Sequence, residues 1–380
     1  MRPSFFTPGT PRPTRYLIAR NEELSEITEL TYRIRNGVSQ PVACFLAPPG
    51  GGKTSLLKKI AADLRDQHWL CGYSEASPDP STALIDLLID AKEALPAKGL
   101  GSKFIAHLEQ LELKIWPVGL TARVQDSDKP PFKQLLHVII QLGKFAKFER
   151  AGVALLVDEV QVLGGSAMGQ LFRAINFIDD LPIALICAGL PNTPNRLRNE
   201  DYGSSPHVVY MPLRAFDRDE AEMALLAPVI DCGGRFERRA IAKAVQFVAG
   251  DPLIIQVLGA RAWSEACREA KEESTVLVTD KHVTVAIEFV QKQLDIRLHN
   301  PIWSDMTYME QQMAMEIAAN SRVERDIVVR LASGLRIDDP EDILARFVRR
   351  EIIHPTRADR PIKFVDPRFA DFVNSRRFFG

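Results

Sequence analysis

Five largely continuous apolar runs punctuate the first half of the chain, and segments with helical periodicity separate them. The runs are PVACFLA (Pro41 to Ala47), HWLCGYSEA (His68 to Ala76), GVALLVDEV (Gly152 to Val160), LPIALICAG (Leu181 to Gly189) and HVVYMPL (His207 to Leu213). Runs of this length that do not alternate with polar residues predict strands buried on both faces. Between them, NEELSEITELTYRIR (Asn21 to Arg35) sets Leu24, Ile27, Leu30 and Tyr32 or Ile34 near helical spacing. TSLLKKIAADLRDQ, STALIDLLIDAKEAL (Ser81 to Leu95) and PPFKQLLHVIIQLGKFAKFE predict further helices, whereas Pro96 to Lys129 shows no ordering pattern. Strands alternating with helices predict a parallel sheet covered on both sides.

The pattern changes after residue 214. An all-helical segment is expected over 215–295, and helices followed by a short hairpin over 296–380, the pattern of a winged helix. Residues 1–17 are proline-rich and expected to be extended, leaving 18–214 as the α/β domain. A chain of 380 residues is long enough for two or three such domains.

Charge and cysteine content narrow the classes. A net charge of -1 gives no global attraction to nucleic acid or to an anionic membrane, so any such contact needs a local patch. The five cysteines are far apart with no C-x-x-C pair, and Cys44 and Cys187 lie inside apolar strands, which indicates a reducing, cytoplasmic setting. The N-terminus lacks the apolar run of a signal peptide, and no stretch reaches the roughly 18–20 apolar residues of a membrane span. No H-E-x-x-H pattern marks a zinc hydrolase, and Ser166 follows Gly164 and Gly165 without the spacing of a nucleophile elbow.

The chemistry concentrates in APPGGGKTS (Ala47 to Ser55), which fits G-x-x-x-x-G-K-[ST] except that Ala47 replaces the first glycine. Gly50, Gly51 and Gly52 let backbone N–H groups turn inward around phosphates, and the helix that follows aims its positive end at them. Pro49 to Ser55 form the expected cradle: Lys53 neutralises the outer phosphates, and the Thr54 hydroxyl completes a Mg²⁺ shell. GVALLVDE supplies the complement, with Asp158 as the magnesium carboxylate and Glu159 as the base that orients and deprotonates water. Asn192 and Thr193, just after the LPIALICAG strand, are candidates for contact with the terminal phosphate. A turn held by Asn and Pro explains the same residues equally well.

FTPGTPRP with LIARNEEL, APPGGGKTSLL, LLVDEVQ, LPIALICAGLP, GDPLIIQVLG and FVDPRFADFV together resemble AAA+-type ATPases of the origin-recognition and initiator clade and STAND ATPases. The resemblance runs over nearly the whole chain. It implies an α/β P-loop NTPase core, an all-helical lid and a C-terminal winged-helix domain, with ATP and Mg²⁺ bound. It places Arg20 near the adenine, with Ala19 where relatives have glycine, and makes Asn192 a sensor. Pro252, in Gly250-Asp251-Pro252, falls on a lid element that packs near the base. Arg261 is a remote sensor candidate. Ser205-Pro206-His207 stands where relatives carry an arginine finger; Arg196 and Arg198 lie earlier.

The function this implies is an ATP-hydrolysing switch whose nucleotide state repositions the winged helix. The open alternatives are a DNA-binding helper in replication or transposition and a non-hydrolysing nucleotide-holding adaptor with an unidentified protein partner. Arg346, Arg349 and Arg350 on the third C-terminal helix, with Arg357 and Arg360 on the wing, could form a phosphate-binding patch for duplex DNA. The acids Asp338, Asp339, Glu341 and Asp342 at the start of that helix oppose this.

Overall fold

The computed structural model describes residues 4–9, 16–76, 132–163, 180–199, 208–271, 275–320, 339–354 and 361–376, with scattered positions between 169 and 178 and between 326 and 334. The expected helix Ser81 to Leu95, the stretch Pro96 to Lys129, and Ser166, Ser205, Arg357 and Arg360 lie outside the described residues.

The five apolar runs form one parallel sheet. Its strands are β1 (Val42–Leu46), β2 (Trp69–Glu75), β3 (Gly152–Asp158), β4 (Ile183–Gly189) and β5 (Val208–Pro212), in the spatial order β2-β3-β4-β1-β5. Strand β4 sits between β1 and β3. Leu46 pairs with Gly189 on one side and Pro212 on the other, and Glu75 pairs with Asp158. The carboxyl ends of the strands that carry the candidate chemistry are therefore neighbours.

The two-residue period of a strand divides the core. Val42, Cys44 and Leu46 pack with Val138, Ile139, Leu142 and Phe145 of the helix Phe132–Phe148. Ala43, Phe45 and Ala47 face the other way, onto Leu56, Leu57 and Ile60 of the helix Lys53–Asp66 and Ile27, Leu30 and Ile34 of the helix Asn21–Arg35. Phe45 is wholly buried, so truncating it to alanine would cost about 3–5 kcal/mol. Cys44 and Cys187 are free thiols in this core, and burial pushes the Cys44 thiol up to about 12, which leaves it inert.

The chain divides into two compact units. The first comprises Met1–Gly234 and Gly250–Ala260, the second Arg235–Ala249 and Arg261–Gly380. The helix Arg218–Asp231 belongs to the first and opens on a reciprocal capping box between Asp217 and Glu220. The second contains the helices Arg238–Val248 and Asp280–Leu294. The short strands Gly234–Phe236 and Val276–Val278 pair into a two-stranded sheet that the apolar pattern does not announce.

Further along the second unit, Trp303, Met313, Ile317, Phe347, Phe364, Phe369 and Phe372 share one cluster. They come from the helices Asn300–Ser304, Tyr308–Ala319, Pro340–Arg349 and Arg368–Arg376, and from an antiparallel bridge between Ile353 and Phe364. The hairpin expected after the third helix does not run to the end of 296–380: Arg368–Arg376 form a helix, because the Asp366 carboxylate accepts from the Arg368 N–H at 3.0 Å and Pro367 fits a helix start. The expected DNA-facing arginines are tied to acids on their own unit. Arg346 bonds Glu310 at 2.9 Å and also Asp342, Arg350 lies 3.8 Å from Glu310, and Arg349 lies 3.8 Å from Asp342.

Candidate nucleotide-binding site

The loop after β1 has the conformation its glycines predict. Gly50 and Gly52 adopt φ of 80° and 89°, which an L-residue reaches only with strain. The departure at Ala47 has a local explanation. Ala47 is not among the residues with positive φ, so its backbone needs no glycine, and a Cβ at Gly51 would lie 2.6 Å from the Ala47 methyl. Alanine at 47 thus requires glycine at 51. The helix Lys53–Asp66 starts directly after Gly52 without a side-chain cap, leaving its first N–H groups for a ligand. Pro49 is exposed, and Thr54 and Ser55 are half-buried.

Lys53 is buried, and its ammonium donates to the carbonyls of Ala47 at 3.0 Å and Pro48 at 3.1 Å, with Glu159 3.9 Å away. Desolvation lowers its pKa, against the pull of Glu159 and Asp158. Across the sheet the Thr54 hydroxyl donates to Asp158 Oδ2 at 2.5 Å, joining the two sequence motifs directly. The same oxygen accepts from the Tyr73 hydroxyl at 3.0 Å, and Asp158 Oδ1 accepts from the Glu159 N–H at 2.9 Å. A hydroxyl beside a carboxylate is a hard-oxygen donor pair that fits Mg²⁺, which keeps several waters and needs few protein ligands. Among the described residues no cluster of three or more His, Cys, Asp or Glu suits another metal.

Glu159 stands at φ 50°, in the left-handed region, where β3 has just ended. Its carboxylate accepts from the Gln161 side-chain amide. Gln161 is itself buried; its side-chain oxygen accepts from Leu190 N–H at 3.1 Å, and its carbonyl accepts from Arg196 at 2.6 Å. Asn192 is exposed on the turn after β4, beside the end of β1. Thr193 is fully buried, and its hydroxyl has no hydrogen-bond partner. Of the two residues suggested for the terminal phosphate, only Asn192 is exposed.

Arg20 is buried, and its guanidinium donates to the carbonyls of Ala19 at 3.1 Å, Gly51 at 3.4 Å and Arg214 at 3.0 Å. It stacks 5.1 Å from the Phe216 ring centroid. Burial lowers its pKa. Ala19 has φ 58°, the conformation a glycine at that position would take without strain. Pro252 begins the helix Pro252–Glu269 behind Asp251, whose carboxylate accepts from the N–H groups of Leu253 and Ile254 at 2.9 and 3.1 Å. The adjacent Leu253 reaches the loop. A Cβ on Gly50 would lie 2.8 Å from Leu253 Cβ. Arg196 is turned back onto Gln161 as described, and Arg261 pairs with Glu265 at 2.7 Å. The side chain of Arg198 lies outside the described residues.

Tyr73, Gln161 and Leu253 were not singled out by the sequence. Tyr73 and Gln161 follow from knowing which strands are neighbours; Leu253 follows from its place one residue after Pro252. Elsewhere in the first unit a shallow crevice opens at the opposite, amino-terminal edge of the strands. It is lined by Ile34, Val38, Val42, Ile178, Asp180 and Leu181 and gathers none of this chemistry.

No protein-family model matches the chain, and no curated protein matches it. Among solved structures, the chain is similar to a Walker-type ATPase of Pyrococcus abyssi, with a TM-score of 0.61 at 16% identity over 95% of this chain and 98% of that one. Cdc6p from Pyrobaculum aerophilum superposes more loosely, with a TM-score of 0.47 at 13% identity over 98% of each chain. At such identities the likeness establishes the fold. This chain has an α/β P-loop NTPase fold like that of the Pyrococcus abyssi protein, followed by a helical C-terminal portion.

Proposed function

We propose that the chain binds ATP with Mg²⁺ and hydrolyses it slowly, as a switch. The observation that carries this reading is the 2.5 Å contact between Thr54 and Asp158, which unites two motifs 104 residues apart beside Lys53 and Glu159. In this reading the N–H groups of Gly50 to Thr54 hold the phosphates. Lys53 leaves the loop carbonyls for the outer phosphate oxygens. Thr54 and Asp158 hold Mg²⁺, which supplies charge neutralisation on the phosphates. Glu159 takes a proton from the attacking water, and Asn192 orients the terminal phosphate. Arg20 secures the loop from behind, and Pro252 and Leu253 close over it.

The proposed division is 1–17 as an extended arm, 18–214 as the ATPase core, 215–295 as a lid and 296–380 as a winged helix that the nucleotide state repositions. The helix Pro252–Glu269 begins at the phosphate loop, where Leu253 lies against Gly50, so its start would respond to a bound nucleotide. A DNA-binding role through Arg346, Arg349 and Arg350 gains no support, since each faces an acid of its own unit.

Thermal unfolding with and without Mg-ATP tests binding. A ligand at a hundred times its Kd stabilises by about 2.7 kcal/mol, which for a domain of this size raises Tm by about 5–10 °C. Lys53→Ala should lose that shift, whereas Glu159→Gln should keep it and lose phosphate release. A wild type that binds ATP but never releases phosphate, with or without duplex DNA, overturns the hydrolytic reading in favour of the adaptor.

A further inference from the structure

We propose that Gln161 is a positioning residue that couples the Glu159 carboxylate to the turn after β4, so that the base is aligned only when that turn is engaged by a terminal phosphate. The inference rests on the hydrolytic reading above and adds to it a route by which the site senses its own substrate.

Gln161 holds three partners at once. Its amide nitrogen donates to Glu159, its amide oxygen accepts from the Leu190 N–H at 3.1 Å, and its backbone carbonyl accepts from Arg196 at 2.6 Å. One end of the side chain is therefore fixed to the base. The other end, with its backbone, is fixed to both sides of the turn that presents Asn192. Gln161 is buried, so its own polar atoms are held mainly by these protein partners, and the side chain links the turn to the carboxylate.

The other Glu159 oxygen lies 3.9 Å from Lys53, the residue that must respond to a bound phosphate. The carboxylate thus sits between two phosphate-responsive elements.

The turn packs closely on Gln161: a Cβ at Gly189 would lie 3.1 Å from the Gln161 amide oxygen and 2.6 Å from the Thr193 hydroxyl, so only glycine lets β4 approach this closely.

The test compares wild type with Gln161→Met, which keeps size and flexibility but removes both side-chain bonds, and with Gln161→Glu. Readouts are kcat, KM and the ratio of fluorescent ATP to ADP analogue affinities. Gln161→Met should lower kcat by roughly 10-fold to 100-fold, leave KM near wild type and reduce the preference for ATP over ADP. In Gln161→Glu the acceptor for the Leu190 N–H is kept and the donor to Glu159 is lost, so kcat should again fall while KM stays near wild type. That split between kcat and KM is a response a purely structural role would not give, and it remains readable if Gln161→Met fails to fold.

Wild-type-like kcat and nucleotide preference in folded variants would overturn the relay alone. Absence of turnover in the wild type would overturn both it and the hydrolytic reading.

Discussion

Replacing Gly250 with alanine should separate a steric requirement from a conformational one in the segment that backs the phosphate loop. Gly250 has φ 76°, and a Cβ built there lies 2.1 Å from the Phe216 carbonyl oxygen and 3.1 Å from the Phe216 nitrogen. The Phe216 N–H donates to the Gly250 carbonyl at 2.9 Å, so the two backbones are already in contact. Alanine in this conformation costs about 1–2 kcal/mol. The lost or lengthened hydrogen bond adds about 0.5–1.5 kcal/mol. Nothing at this contact is a flexible side-chain tip, so the backbones must separate. A total of about 1.5–3.5 kcal/mol lowers Tm by about 3–14 °C for a domain of this size.

Because Phe216 carries the Arg20 guanidinium, which in turn bonds the Gly51 carbonyl, the folded fraction should also bind nucleotide more weakly. Thermal unfolding followed by circular dichroism, with and without Mg-ATP, measures both effects. Gly250→Asn is the discriminating variant. Asparagine tolerates the left-handed region but brings the same Cβ, so it should be nearly as damaging as alanine. An asparagine variant with wild-type Tm would show that strain, not contact with Phe216, sets the requirement, and would refute the steric argument.

The remaining predictions concern single atoms. Tyr73→Phe removes one of the two side-chain donors to Asp158 Oδ2. Burial, with Asp158 beside it, raises the Tyr73 pKa, so the phenol remains a neutral donor at every working pH. Half-saturation by Mg²⁺ should rise by about 10-fold, and an unchanged magnesium titration would contradict this. In the second unit Asp366 is partly desolvated, which raises its pKa. The donors from His299 at 3.0 Å and Arg368 at 2.6 Å outweigh this and hold the carboxyl below its usual range. With the folded value depressed, its stabilisation is complete above the unfolded pKa of about 3.9. It is lost as pH falls through the folded value. Melting curves across that acid range should flatten in Asp366→Asn, and an identical pH dependence would count against the assignment.

What the sequence made legible follows from which physical signals are local. Each of the five strands lies inside its apolar run, within a residue or two of either end; β1, β3 and β4 are buried throughout, whereas the edge strand β5, expected to be buried on both faces, exposes Val209 and Pro212. The helix Asn21–Arg35 was legible to the residue, and the choice between Tyr32 and Ile34 falls to Ile34, with Tyr32 70% exposed. Thr31, not named from the pattern, is buried by bonding the Ile27 carbonyl at 2.7 Å. That the loop and Asp158 would meet was legible because each follows or ends a buried parallel strand, and the structure brings Thr54 and Asp158 into contact. Strand order leaves no periodic trace, so the insertion of β4 between β1 and β3 was hidden, and with it the roles of Gln161 and Tyr73. The helix Arg368–Arg376 was missed for a local reason, since its Asp-Pro start was read as part of a hairpin.

The adjacent acids Asp158 and Glu159 pose a geometric problem that the end of β3 resolves. In a continuing strand, neighbouring side chains point to opposite faces. Ala154 and Leu156 pack on the face covered by the helix Lys53–Asp66, and Val153, Leu155 and Val157 on the face covered by Phe132–Phe148. Asp158 continues the first series and meets Thr54 there. An extended Glu159 would continue the second, turned away from the phosphate loop. Its left-handed backbone breaks the alternation, and its carboxylate lies 3.9 Å from Lys53 instead. Two neighbouring carboxylates can serve one site only if the strand stops between them, and a strained backbone of this kind persists only where surrounding contacts hold it. The Asp158 carboxylate holds the Glu159 N–H, and Gln161 holds the Glu159 side chain. The strain at Glu159 and the bond from Gln161 are thus parts of one arrangement, which aims toward Lys53 a carboxylate that the strand alone would direct elsewhere.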